Sequence, residues 1–474
     1  MKLSKLFFMA AMGLGLAACT ENDLVEGGDS NGAQNEGTTY VGFSLKFNAS
    51  NTRATTTGEE NGTAEEQNIK TAYVIMADAS GNVEQIVSSA DEGIGDSNKN
   101  TDYYVFQTTA GVHYFYAVVN PDIVPTMEGD DATAKTISGY FNTGVGLTVA
   151  NITSKADGGN FMMASHEVLT ANVEDGVTKD EALKGTKNCF AIKVERATAK
   201  VTMTCEKATL ENAVGIPDEP EYGGTVSDLK FNLKGVANMA YRMAQSEWNN
   251  ITNNSWKPNE DGTVNNNTLG VSVAIDQDYT AVNAAYCLEN MDSPYKQGNT
   301  TYLTLKTTFK PANVVNCDNP LSGLTSNNHT EGTDDELTFY VVKEGTLAGN
   351  YLMKADLLQW QKKQSYITDD QFQNGEIAND PTYFPNGVES ISAEYENGVC
   401  WFGPIWIGQT DTDNANAPIV RNTWYNLEIT GITLPGDPEE PTIDPEQPLT
   451  PKTNVAITLS VMPWNFINRE IDLQ

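Results

Sequence analysis

The chain predicts an all-β protein: two β-sandwich domains in tandem, with few short helices. Short apolar–polar alternations recur along it, each closed by Gly, Asn, Asp or Pro. Its 474 residues exceed one compact domain and suit two. Apolar residues make up 39% and aromatic residues 9%, enough for cores, so global disorder is excluded.

The elements follow in order. Lys2 and Lys5 precede an apolar run over residues 6–18, shorter than the roughly 20 residues of a membrane-spanning helix. The run ends in Leu16-Ala17-Ala18-Cys19, the pattern of a bacterial lipobox. Residues 1–18 are therefore expected to leave as a signal peptide, with acyl chains such as palmitate anchoring the new N-terminus at Cys19. Residues 20–39 are polar and read as a tether. Residues 40–47 alternate strictly: Val41, Phe43, Leu45 and Phe47 face one way, and Tyr40, Gly42, Ser44 and Lys46 the other. A polar loop follows over 48–68.

Further strands are expected at 71–77, 103–108, 112–119 and 190–204. Gly215-Ile216-Pro217-Asp218-Glu219-Pro220 marks the break between the domains, placed at 213/214. After it come 229–233, 271–275, 303–309, 338–342 and 424–432. The clearest helical spacing lies at 351–363. A Pro- and Glu-rich linker spans 435–453 and cannot pair inside a sheet. Beyond it, residues 454–474 carry Val455, Ile457, Leu459 and Val461 on one face, then Ile467, Ile471 and Leu473. An apolar strand beyond a long linker must fold back or bind elsewhere.

Composition also narrows the chemistry. Lys+Arg is 29 and Asp+Glu 63, a net charge of −34, which repels phosphate backbones and argues against nucleic acid. Three His leave little for acid–base work. Beyond Cys19 the cysteines number five and form no CxxC, so no zinc site is indicated. The loop opening at Asp96 starts like a calcium loop but has Thr101 at its sixth place and Gln107 at its twelfth. No glycine-rich phosphate loop, HExxH or GxSxG occurs, and neither enzyme, cofactor nor metal is expected. Arginine is more informative. Arg53 is the sole arginine before Arg196, and it sits with Ala54 in the first long polar loop, where proteases cut.

Several phrases share an ordered likeness: Arg53-Ala54 after a strand, Ala110 to Pro121, Phe161-Met162-Met163-Ala164-Ser165, Val194 to Val201, Ala285 to Asn290, Val420 to Tyr425 and Val461-Met462-Pro463-Trp464. Together with the lipobox they cover nearly the whole chain, which resembles the Bacteroidia-type fimbrillins, the shaft subunits of type V fimbriae, in particular short-fimbria shaft proteins. One phrase departs: the usual Met-Ser pair is Met163-Ala164-Ser165 here.

The resemblance implies two tandem transthyretin-like Greek-key β-sandwich domains and export as an outer-membrane lipoprotein. It further implies cleavage after Arg53 by an Arg-specific protease and polymerisation by strand exchange. The chain would then comprise a signal peptide (1–18), a lipidated pro-segment (19–53), sandwiches at 54–213 and 214–434, the linker (435–453) and a donor segment (454–474). Losing Val41, Phe43, Leu45 and Phe47 would open a groove for Val455, Ile457, Leu459 and Val461 of a neighbour, with Ile467, Ile471 and Leu473 following. Partners implied are further copies of the chain in a head-to-tail polymer, accessory anchor and tip subunits, the protease, and host or bacterial surface receptors; adhesion and biofilm formation would be served. Three alternatives compete: a lipid-anchored glycan-binding β-sandwich protein, which would present exposed Trp or Tyr; a hydrolase, for which no constellation is found; and a fimbrial anchor or tip subunit.

Overall fold

The computed structural model describes residues 38–47, 60–61, 66, 69–89, 104–127, 132–141, 153–154, 160–205, 223–237, 240–243, 273–274, 276–277, 283–290, 294–314, 325–326, 337–341, 351–378, 393–408, 417–432, 435–449 and 455–465. Strands dominate, as expected, and the described α-helices are short: Ile137–Phe141, Lys179–Leu183, Lys354–Lys363 and Asp369–Asn374. The helical spacing read over 351–363 starts three residues late, because Tyr351–Met353 is a strand.

The first sheet has eight strands. Its order is Val83–Ser88, Ala72–Ala77, Gly111–Val119, Met163–Ser165, Cys189–Arg196, Thr38–Phe47 and Tyr104–Thr109, with Leu169–Val173 beside Gly111–Val119. The sheet curls until its ends meet: Gln85 Nε2 donates to Gln107 O at 3.2 Å, and the Thr108 hydroxyl reaches Met76 Sδ at 3.1 Å. Phe43, Phe106, Phe115, Ile192 and Val194 line the inner face. The outer face buries Ile75, Val118 and Ala164 under Ile137–Phe141.

The second unit packs two sheets face to face. One runs Asp276–Gln277, Thr198–Cys205, Thr423–Ile432, Val455–Asn465 and Glu60–Asn61, with Ala284–Leu288 on Thr198–Cys205. The other runs Val273–Ala274, Gly224–Lys234, Tyr302–Pro311 and Val399–Trp406. Val201, Met203, Phe231, Leu305, Phe402 and Leu427 meet between them. A smaller three-stranded sheet, Tyr351–Met353, Phe339–Val341 and Ala393–Tyr395, carries the two longer helices.

Two expectations are revised. The single strand read over 190–204 is two strands, broken at Ala197: Cys189–Arg196 belongs to the first sheet and Thr198–Cys205 to the second unit. The break expected at 213/214 lies outside the described residues. The stretch expected as an extended linker over 435–453 is docked where it is described. Over residues 436–449 it is strapped across the second unit. Asp437 exchanges backbone hydrogen bonds with Trp401 at 2.7 and 2.8 Å, and Tyr395 Oη donates to Gly436 O at 2.8 Å. Glu440 takes Lys234 at 2.6 Å and Thr304 at 2.9 Å. Gln297 N donates to Gln447 O at 3.0 Å, and Ile443 and Leu449 pack on Tyr302 and Trp406. Proline removes ladder donors, as expected, but the remaining carbonyls and acids find partners on the sheet.

Candidate functional site: the slot of the first strand

The strand Thr38–Phe47 does not lie at an edge. It runs parallel to Cys189–Arg196, with Gly42 opposite Cys189 and Phe43 opposite Phe190, and antiparallel to Tyr104–Thr109, with Val41 opposite Phe106. Val41 and Phe43 are fully buried and Leu45 packs against the same core. The Phe43 ring lies 4.6 Å from Phe115, 5.6 Å from Phe106 and 5.8 Å from Phe190. Each such side chain contributes about 1.5–3 kcal/mol by leaving water. On the other face Tyr40 packs with Val105, Val177 and Ala182. The side chain of Phe47 is outside the described residues.

A polar hub that the sequence reading missed holds the head of this strand. Asn188 takes left-handed backbone at φ 44°, which Asn tolerates better than most residues. Its Nδ2 donates to Tyr40 O at 3.0 Å, to Glu174 O at 2.9 Å and to the Thr39 hydroxyl at 3.3 Å, while Oδ1 accepts from Glu174 N at 2.8 Å. The Thr39 hydroxyl donates to Glu174 O at 2.7 Å and accepts from Val177 N at 3.0 Å. Thr39 is fully buried, and Asn188 nearly so. Periodicity cannot show this hub, because Thr39 lies more than 130 residues from the groups it meets.

The other expected residues fall as follows. Cys19, Arg53, Ala54, Ile467, Ile471 and Leu473 lie outside the described residues. Val455, Ile457, Leu459 and Val461 are in the last strand, Val455–Asn465, whose backbone pairs antiparallel with Thr423–Ile432 from Ile432↔Val455 to Thr423↔Pro463. Its side chains are outside the described residues. Within one chain, then, the strand folds back onto the second unit, where Thr423–Ile432 offers an edge.

The expectation of an exposed loop over 48–68 is corrected where that stretch is described: Glu60–Asn61 is a strand that runs parallel to the last strand at Trp464 and Asn465, and Glu66 is buried. Glu66 then enters the seam between the two units. Its carboxylate meets Lys200 Nζ at 2.9 Å and Tyr286 Oη at 2.5 Å, and its carbonyl accepts from Arg196 at 3.3 Å. Lys200 also sits 4.0 Å from the Trp424 ring. Burial lowers the Arg196 guanidinium to about 9, against the opposing pull of the Glu66 charge. At Arg421 burial likewise pulls down, but the Glu289 carboxylate outweighs it and the net shift is upward. Among the described residues no group of three His, Cys, Asp or Glu could hold a metal, and burial raises the Cys287 thiol to about 12. No described helix is long and apolar enough to cross a membrane.

Comparison with known proteins gives a family match at one end of the chain. Residues 393–470 match the family described as "Major fimbrial subunit protein type IV, Fimbrillin, C-terminal". No curated protein is matched. Among solved structures, a candidate cell adhesion protein from Parabacteroides distasonis superposes with a TM-score of 0.45 at 14% identity, covering 90% of this chain and 100% of its own. A fimbrilin from Porphyromonas gingivalis gives 0.43 at 14%, covering 92% and 99%. A C-terminally truncated tip fimbrial protein from the same organism gives 0.41 at 13%, covering 90% and 100%.

Proposed function

We propose, from the premise that residues 393–470 are a fimbrillin C-terminal region, that this chain is a structural shaft subunit of a cell-surface fimbria. It is exported as an outer-membrane lipoprotein, cut after Arg53, and polymerised by inserting its C-terminal strand into a neighbour's vacated slot. One observation carries this reading: the strand just upstream of Arg53 occupies the interior of a sheet, held on both sides, rather than an edge. Its removal leaves two unpaired strand edges and wet aromatic rings, which only another strand can cover.

The exchange has a favourable direction. On its own unit the last strand has one long neighbour, plus two residues of Glu60–Asn61. In the slot it would have long neighbours on both sides. Each subunit donates at one end and accepts at the other, a contact that does not close on itself and so grows a filament. The mature subunit would hold 474 − 53 = 421 residues.

Electron microscopy of sheared surface material, with N-terminal sequencing of the polymerised band, tests the reading. The band should begin at Ala54, and the Arg53→Ala chain should stay monomeric and anchored. Fibres whose subunits retain Tyr40 would overturn it.

A further inference from the structure

The vacated slot would leave more than an apolar trough. At its head stand Glu174 O, Val177 N–H and the Asn188 side-chain amide; the Thr39 hydroxyl meets all three, accepting from Val177 N–H at 3.0 Å, while Asn188 Nδ2 also donates to Glu174 O at 2.9 Å. A hydroxyl is the side-chain group that can donate to the carbonyl and accept from the amides at one point. Buried polar groups left without partners are costly, so the head of the slot discriminates between incoming strands.

We propose that this hub sets the register of the inserted strand, with Thr453 of the incoming chain taking the place of Thr39. The inference rests on the strand-insertion reading above and goes beyond it by fixing one alignment. Thr39, Val41, Phe43, Leu45 and Phe47 are then replaced by Thr453, Val455, Ile457, Leu459 and Val461. Tiny Gly42 is replaced by Ala456, and the polar Ser44 by Thr458.

The alternatives fail on residue type. Strands keep one face inward only when shifted by two residues. Such shifts bring Leu449, Pro451, Val455, Ile457, Leu459, Val461, Pro463, Asn465, Ile467, Arg469 or Ile471 to the hub, and none carries a hydroxyl. The distal stretch is further disfavoured, since placing Ile467, Ile471 and Leu473 inward turns Arg469 inward with them.

The alignment makes a covalent test available. Gly42 lies directly opposite Cys189, a free, half-buried cysteine whose thiol meets the carbonyls of Ala182 and Lys187. Parallel neighbours are about 4.8 Å apart, within disulfide reach. Full-length chains carrying Asn454→Cys, Ala456→Cys or Thr458→Cys are expressed on cells, and their sheared fibres are mildly oxidised. Ala456→Cys alone should give a ladder of linked subunits on non-reducing gels, which collapses with reductant and vanishes with Cys189→Ser. A ladder from Asn454→Cys or Thr458→Cys instead would overturn the register while leaving strand insertion standing. Fibres that yield no ladder from any of the three would likewise overturn the register while leaving strand insertion standing. Independently, Thr453→Ser should polymerise normally, whereas Thr453→Val should give about tenfold less fibre; equal yields would overturn the role of the hydroxyl.

Discussion

Glu66 is a carboxylate placed where carboxylates are costly, 2% exposed and facing a Lys200 equally buried. Such pairs matter most when broken, because the surviving charge is stranded. Glu66→Ala should therefore cost about 3–5 kcal/mol in denaturant unfolding of the full chain. Replacing both partners by apolar residues, as in Glu66→Leu with Lys200→Met, should recover most of that loss. A second residue responds to pH. His166, half-exposed, donates from its protonated ring to the carboxylate of buried Glu195 at 2.7 Å, and this hydrogen bond raises its pKa above 6.5 against the downward pull of burial; Glu167 adds to the rise and Lys193 opposes it. A raised folded value means that the protonated form stabilises. The contribution is complete below 6.5 and fades as pH climbs through the raised value. Urea midpoints measured across that window should fall for the native chain and stay flatter for His166→Gln.

Among the elements, those with a clean period were legible. Val41, Phe43 and Leu45 announce a half-buried strand by alternation alone, and the strand appears where it was expected. The run over 190–204 misled because it has no Gly or Pro to mark a break at Ala197. The break there comes from the chain passing between two sheets, which local sequence does not record. The strap misled for a related reason. Its prolines correctly forbid a ladder, but its docking depends on Trp401, Tyr302 and Trp406, distant in sequence. At Gly436 the strap runs so close to the Trp401 carbonyl that a Cβ has no room. Gly436→Val should lift this end, and a Glu-specific protease should then cut at Glu439 and Glu440 well before the rest of the chain yields.

For the molecule as a whole, the all-β class was readable from alternation, whereas the hub and seam were not, since each joins residues from three or more segments. The largest predicted change is also at this scale. A subunit cut after Arg53 and stripped of its first strand loses at least the burial of Val41 and Phe43, about 3–6 kcal/mol for the pair. Calorimetry should show the stripped monomer melting below the uncut chain, and the fibre melting above both.

The place of the first strand has a mechanical consequence. A strand clasped between Cys189–Arg196 and Tyr104–Thr109 has rungs on both sides and its ends pointing along the sheet. Tension along the strand axis therefore loads these rungs in shear, all together, whereas a strand peeled from an edge gives up its rungs one at a time. A filament joined through this slot should resist the drag of flowing liquid far better than its modest joint area suggests, and should yield abruptly when it yields.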